Sequence, residues 1–327
     1  MKNSRRDVIK LMGALGALGL APLSFQALGA ANEVATFVVG FPAGGSPDIL
    51  SRAIAEVLSR HGWTIVVENR TGASGRIAVD YVRRAKPADK VVLITPIEIL
   101  TLLPHVYRDV RFDVFKDFAP VAGLSESPYG LAVSPQLGVD SIAELIEWYK
   151  AHPDQATYAT PGEGTPQHLL GAILSRDAGL KLLHVPYRGG PPAIADVMGG
   201  QVPCVITSYG SLSSYQQAGS LKVLAYTATQ PLASIPSSIP TFIQDGYPNI
   251  KADGSYLAVS SSEVDPAFVD AMGEALAAIV KTTEYKDLLA RFGQEPLVIE
   301  RSAIPPYMKE SYDYWGGIVN EIGFEPL

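Results

Sequence analysis

From Val34 onward the chain repeats one kind of unit: a short apolar run, a turn rich in Gly, Pro and Ser, then an amphipathic stretch at helical spacing. That alternation predicts an α/β protein with mainly parallel strands, most of them followed by a helix. The apolar runs place strands at Thr36–Val39, Thr64–Val67, Val91–Ile94, Leu131–Val133, Thr157–Ala159, Leu182–Val185, Val202–Thr207 and Leu221–Ala225. After the first of these, Leu50, Ile54, Val57 and Leu58 share one stripe, which predicts a helix stopping near Gly62. Ser141 with Glu144 three residues on has the form of a capping box. From Gln230 to Ile250 the pattern lapses, and the Pro and Ser content predicts a surface excursion. Apolar stripes return over 269–280, 285–292 and 307–322, so the C-terminal end should be helical.

The N-terminus departs from this pattern. Lys2, Arg5, Arg6 and Lys10 precede an uncharged stretch, residues 11 to 30, which has the n-region and h-region of an export signal. Gly13, Gly16, Gly19, Pro22, Ser24 and Gln26 dilute that stretch as a membrane anchor, and the small residues Ala27 to Ala31 suit a signal peptidase. Ser4-Arg5-Arg6-Asp7-Val8-Ile9-Lys10 resembles the twin-arginine export consensus, with Val8 in place of its usual Phe. The expectation is a soluble periplasmic protein, cleaved near Ala27–Ala31.

Composition narrows the function classes. With 327 residues, 47% of them hydrophobic and 18% charged, the chain has material for about two domains and is not disordered. A net charge of −7 argues against a nucleic-acid partner. Cys204 is the only cysteine, which excludes an internal disulfide and any multi-cysteine metal cluster.

Two loops can carry binding chemistry. The first strand runs into Phe41-Pro42-Ala43-Gly44-Gly45-Ser46-Pro47-Asp48, where the glycines uncover backbone amides and Ser46 can cap a helix opening with Pro47. A similar arrangement recurs at Gly162-Glu163-Gly164-Thr165-Pro166. Bare helix N-termini of this kind seat a carboxylate or phosphate, and equally serve as ordinary strand-to-helix turns. Neither loop has the spacing of a P-loop or a dinucleotide fingerprint, so no cofactor is expected. His168 and His184 lack a second ligand at metal spacing, which leaves them hydrogen-bonding locally or, in a secreted hydrolase, acting as a base. The hydrolase alternative lacks a nucleophile elbow: Gly72-Ala73-Ser74-Gly75 brings its second glycine one place early. Arg70, Arg76 and Arg188 stand in turn-like segments, either solvated or within reach of a ligand.

These loops, in this order, resemble the extracytoplasmic solute receptors of tripartite tricarboxylate transporters, the Bug family. The similar stretches are Phe41-Pro42-Ala43-Gly44-Gly45 through Asp48 and Arg52, Val67-Glu68-Asn69-Arg70 through Ala73, Lys116 to Val121, Tyr158 to Leu169, His184-Val185-Pro186-Tyr187-Arg188-Gly189, Gly199 to Val202, and Ile239-Pro240-Thr241. The resemblance implies a two-domain periplasmic binding protein fold of type II with the ligand in the interdomain cleft. Domain 1 would combine 32–128 with 252–327, and domain 2 would hold 129–251. It further implies a non-enzymatic receptor that delivers a small organic carboxylate to membrane transporter subunits, reporting to a sensor kinase being the alternative destination. Carried over by position, the ligand-binding residues are Ala43, Gly44, Gly45, Ser46, Gly162, Gly164 and Thr165, with His168 and Tyr187 as supports. Ala88-Asp89-Lys90, Gln230 and Asp253-Gly254-Ser255-Tyr256 depart from the family pattern, and the ligand's identity stays open.

Overall fold

A computed structural model describes residues 33–327, so the export-signal reading lies outside the described residues. The chain forms β1 (Glu33–Val39), α1 (Ser46–Ser59), β2 (Trp63–Asn69), α2 (Arg76–Arg83), β3 (Val91–Pro96), α3 (Ile97–Thr101), α4 (Leu103–Val106), β4 (Phe118–Glu126), β5 (Tyr129–Val133) and α5 (Ile142–Ala151). It continues through β6 (Thr157–Thr160), α6 (Pro166–Asp177), β7 (Leu183–Pro186), α7 (Gly190–Met198), β8 (Cys204–Ser208), α8 (Tyr209–Gln217) and β9 (Lys222–Tyr226). It closes with β10 (Ser255–Ser261), α9 (Pro266–Val280), α10 (Thr283–Ala290), β11 (Glu295–Pro296) and α11 (Ile304–Glu321). Among these residues no helix is long and apolar enough to cross a membrane.

The strands build two sheets, ordered β11-β4-β10-β3-β1-β2 and β7-β6-β8-β5-β9. The first draws its strands from both ends of the described chain, the second from the middle. Within each, alternate side chains enter different cores, as the two-residue strand period requires. Phe37, Val92, Ile94 and Ala258 pack under α1 and α9, while Val38, Leu93, Leu257 and Val259 face the opposite way. That second core continues into the other sheet through Leu131, Val133, Ile206 and Leu224, so the described residues form one compact unit.

The α/β expectation holds, and the expectation of mainly parallel strands is corrected. β1 is parallel to β2 and β3, and β6 to β7 and β8, but β10 is antiparallel to β3 and β4, β11 to β4, and β5 to β8 and β9. Parallel neighbours need a long crossover, usually a helix. The chain makes no helix on either of its passes between sheets, from β4 to β5 and from β9 to β10. The 230–250 segment is the expected excursion without helix or strand, with many exposed residues. Ile235, Ile239, Phe242 and Ile250 are buried, and Thr241 bridges to Tyr226, so the excursion is pinned to the second sheet by a few inward residues.

Candidate functional site

The two parallel arms, β1–β2 and β6–β7, end beside one another. A cleft of about 540 Å³ lies at those carboxyl ends, lined by Gly40 to Pro42, Thr71 to Arg76, Tyr107, Pro161 to Glu163 and Pro186 to Gly189. The carboxyl edge of parallel strands is where open α/β sheets bind ligands, because strands end there and helix N-termini begin. The walls mix backbone and hydroxyls with the rings of Phe41, Tyr107 and Tyr187, the prolines at 42, 161 and 186, and three charged residues, Arg76, Glu163 and Arg188.

Of the nine residues expected from sequence, Gly162 and Tyr187 line this cleft. Ala43 and Gly44 are exposed beside it, and Gly45 and Ser46 are buried. The expected Ser46 cap is corrected. α1 begins at Ser46 with Gly45 as its N-cap, and the Ser46 hydroxyl is drawn elsewhere, accepting from Gln294 Nε2 at 3.0 Å. The Ser46 amide donates to Ser211 Oγ on α8 at 2.9 Å, so this residue ties the start of α1 to the other sheet. The Gly45 amide reaches the Pro42 carbonyl and the Gly44 amide the Asp48 carboxylate, at 3.2 and 2.9 Å. Burial pushes the Asp48 carboxyl up, but hydrogen bonds from Arg52, the Gly44 amide and Asn69 outweigh it, and its pKa sits below the ordinary value. The expected bare N-terminus of α1 therefore carries a built-in carboxylate.

The second loop repeats this backbone with a different acceptor. Gly164, with φ of 66°, donates its amide to His168 Nδ1 at 3.1 Å, four residues on. Thr165 is the N-cap of α6 by backbone, and its hydroxyl donates to the Gly162 carbonyl at 2.8 Å. The His168 ring stacks on His184 with centroids 3.6 Å apart. Burial lowers the His168 pKa to about 4, and burial plus the neighbouring ring lowers His184 to about 3. Both are neutral at neutral pH, and His168 keeps its proton on Nε2 because Nδ1 accepts. The Thr160 hydroxyl donates to the Gly162 carbonyl, so His184 Nε2 donates to Thr160 Oγ1 at 2.6 Å. Thr160 is fully buried, which makes this pair a scaffold for the loop and not an exposed nucleophile and base. Tyr187 gives its hydroxyl to Asp196 at 2.7 Å; burial and this bond raise its pKa to about 12.

Sequence reasoning missed Ser74 and Tyr107 as site residues. Their hydroxyls both donate to the Glu163 carbonyl, at 2.6 and 2.8 Å. This close approach explains the glycines that flank Glu163: a Cβ on Gly162 would lie 2.6 Å from Ser74 Oγ, and one on Gly164 would lie 2.9 Å from the Tyr107 ring. Ser74 had a local signal in its glycine-flanked turn; Tyr107 had none. Among the described residues no group of three or more His, Cys, Asp or Glu side chains is placed to hold a metal ion.

Comparison with known proteins sets this geometry in context. Residues 50–324 match the family described as tripartite tricarboxylate transporter family receptor. Protein BugT of Bordetella pertussis is 26% identical over 292 residues, covering 88% of each chain. The solved periplasmic binding protein BugD superposes with a TM-score of 0.83 at 26% identity, over 90% of this chain and 99% of that one. Rpa4515 of R. palustris, solved with adipate, superposes with a TM-score of 0.84 at 27% identity, over 90% of this chain and 98% of that one. The fold is thus that of periplasmic binding proteins.

Proposed function

The chain belongs to the tripartite tricarboxylate transporter receptor family, and from that premise we propose that it is a periplasmic solute-binding protein. It captures a small organic carboxylate in the cleft between its sheets and delivers it, chemically unchanged, to the membrane subunits of such a transporter. The observation that carries this reading is the charge of the cleft. Its charged lining residues are Arg76, Arg188 and Glu163, with Arg76 paired to Asp109, so the cleft is close to neutral in a chain of net charge −7 and repels an anion less than the rest of the surface does. The adipate held by Rpa4515 supports a carboxylate as the class of solute.

Residues 32–128 with 252–327 act as one lobe and 129–251 as the other, a division supported by the origin of the strands in each sheet. The lobes hinge where β4 passes into β5 and where the chain enters β10. The backbone amides of Gly162 and Thr165 hold the carboxylate end of the solute, with Gly164 shaping the turn, His168 fixing the Gly164 amide and Tyr187 shaping the wall. Ala43, Gly44, Gly45 and Ser46 form the edge against which the second lobe closes. Residues 1–31 direct export through the twin-arginine route and are then removed.

The test is a thermal-shift and isothermal-titration panel of acetate, malonate, succinate, glutarate, adipate, malate, citrate and benzoate on the protein without residues 1–31. A solute at 100 times its dissociation constant adds about 2.7 kcal/mol of stability. That raises the melting temperature by roughly 4–5 °C for a chain of this size. A flat response to the whole panel would overturn the reading.

A further inference from the structure

The Glu163 peptide carbonyl lies in the loop before α6, on the second sheet's side of the cleft, yet its two hydroxyl partners come from the first sheet's side. A carbonyl oxygen has two lone pairs, and here both are engaged. Tyr107 follows α4. The Arg76 guanidinium lies over its ring, 3.9 Å from the centroid, and pairs with Asp109 at 2.8 Å. Burial raises the Tyr107 phenol pKa, so the hydroxyl stays a donor throughout the physiological range. Ser74 reaches the same oxygen from a turn held in an unfavourable shape. Gly72, Ala73, Ser74 and Gly75 all have positive φ, at 128°, 47°, 54° and 92°. Non-glycine residues pay for the left-handed region, and strain of this kind persists only where surrounding contacts impose it. Ser74, Tyr107, Gly162 and Glu163 also line one cleft, so these bonds span it.

We propose that Ser74 and Tyr107 are positioning residues for solute capture: together they latch the Glu163 carbonyl and hold the 162–165 loop closed over the solute. They act on how long the cleft stays shut and not by touching the solute. Apparent affinity scales with the closed fraction, and the loss of a closing contact is felt chiefly in the release rate. Each hydroxyl contributes about 3- to 10-fold, the usual net worth of a neutral hydrogen bond. The side chain of residue 163 takes no part, since the acceptor is its backbone.

This inference rests on the receptor reading, and the experiment separates the two. Tyr107→Phe keeps the ring under Arg76 and removes only the hydroxyl. Ser74→Gly removes the other hydroxyl and relieves the left-handed backbone. Titration and stopped-flow release are measured with the panel carboxylate that wild type binds most tightly, beside the melting temperature without solute. The expected result is release about 3- to 10-fold faster in each variant and faster still in the double variant. The solute-free melting temperature should be unchanged in Tyr107→Phe and unchanged or raised in Ser74→Gly. Release at the wild-type rate in both variants would overturn the latch and leave the receptor reading standing. Weaker binding accompanied by an equal fall in solute-free stability would assign the two hydroxyls a merely structural role. A wild type that binds none of the panel would remove the receptor reading and the latch with it.

Discussion

The loops that open α1 and α6 are built on one backbone plan and differ in charge. In each, a glycine with positive φ, Gly44 at 80° and Gly164 at 66°, turns its amide toward the side chain four residues on. An extended N-cap residue follows, Gly45 in one and Thr165 in the other. The acceptor is the Asp48 carboxylate in the first loop and the neutral His168 imidazole in the second. A helix N-terminus favours a single negative charge. At α1 that charge is already part of the chain, whereas α6 has no acidic residue in its first turn. Similar Gly-rich sequences therefore differ in what their helix starts hold: a carboxylate of the chain itself in one and a neutral imidazole in the other.

The strongest expected break of this comparison comes from adding bulk to each glycine. Gly164→Val combines a left-handed φ with a collision against Tyr107, and should abolish measurable solute binding in titration. At Gly44 a Cβ meets nothing within 4 Å. Gly44→Val should cost about 1–2 kcal/mol of stability from its φ alone and leave affinity within a few-fold of wild type.

Acid should reach the second loop first. His168 and His184 have folded pKa values below the free value of 6.5, so the folded state resists protonation. Their stabilising contribution is present above 6.5 and is lost as pH falls toward 4 and then 3. Asp48, also depressed, contributes above its free value of 3.8 and is lost only below it. Glu98 runs the other way. Burial raises its carboxyl to about 7, so its contribution is full below 4.5 and fades as pH rises through 7. Comparing wild type with His168→Gln isolates the histidine: their melting temperatures should converge between pH 6.5 and 4. A constant gap across that range would contradict the assignment.

The smallest effect is expected at Thr165. Its hydroxyl proton is committed to the Gly162 carbonyl. Thr165→Ala should therefore cost about 1 kcal/mol of stability in thermal melts and change affinity less than about five-fold.

Much of this was legible in the sequence, for identifiable reasons. Eight strands announced themselves as apolar runs, most of them because both faces are covered, while the edge strands β2 and β7 keep theirs with residues such as Val66 and Leu183 exposed; Leu50, Ile54, Val57 and Leu58 are all buried as their spacing required. The strands Phe118–Glu126 and Ser255–Ser261 were not seen. Their apolar stretches are bounded by buried serines that read as loop, and these find partners far away in sequence: Ser260 on the Val91 carbonyl, Ser261 on the Arg83 carbonyl and Ser125 on Gln294. The glycine loops could be read because their chemistry is local. The Ser74 and Tyr107 contacts could not, since they join residues 89 and 56 positions apart and leave only the missing side chains of Gly162 and Gly164 as their trace.

One substitution tests the difference between the loops most directly. His168→Asp gives α6 the acceptor that α1 already has, so the Gly164 amide keeps a partner and the fold should melt no lower than wild type at pH 7. A carboxylate there would repel an anionic solute held, as proposed, at the start of α6, and affinity should be weaker by roughly 100-fold in isothermal titration. Wild-type affinity in His168→Asp would contradict the claim that the neutral N-terminus of α6 receives the solute's charge.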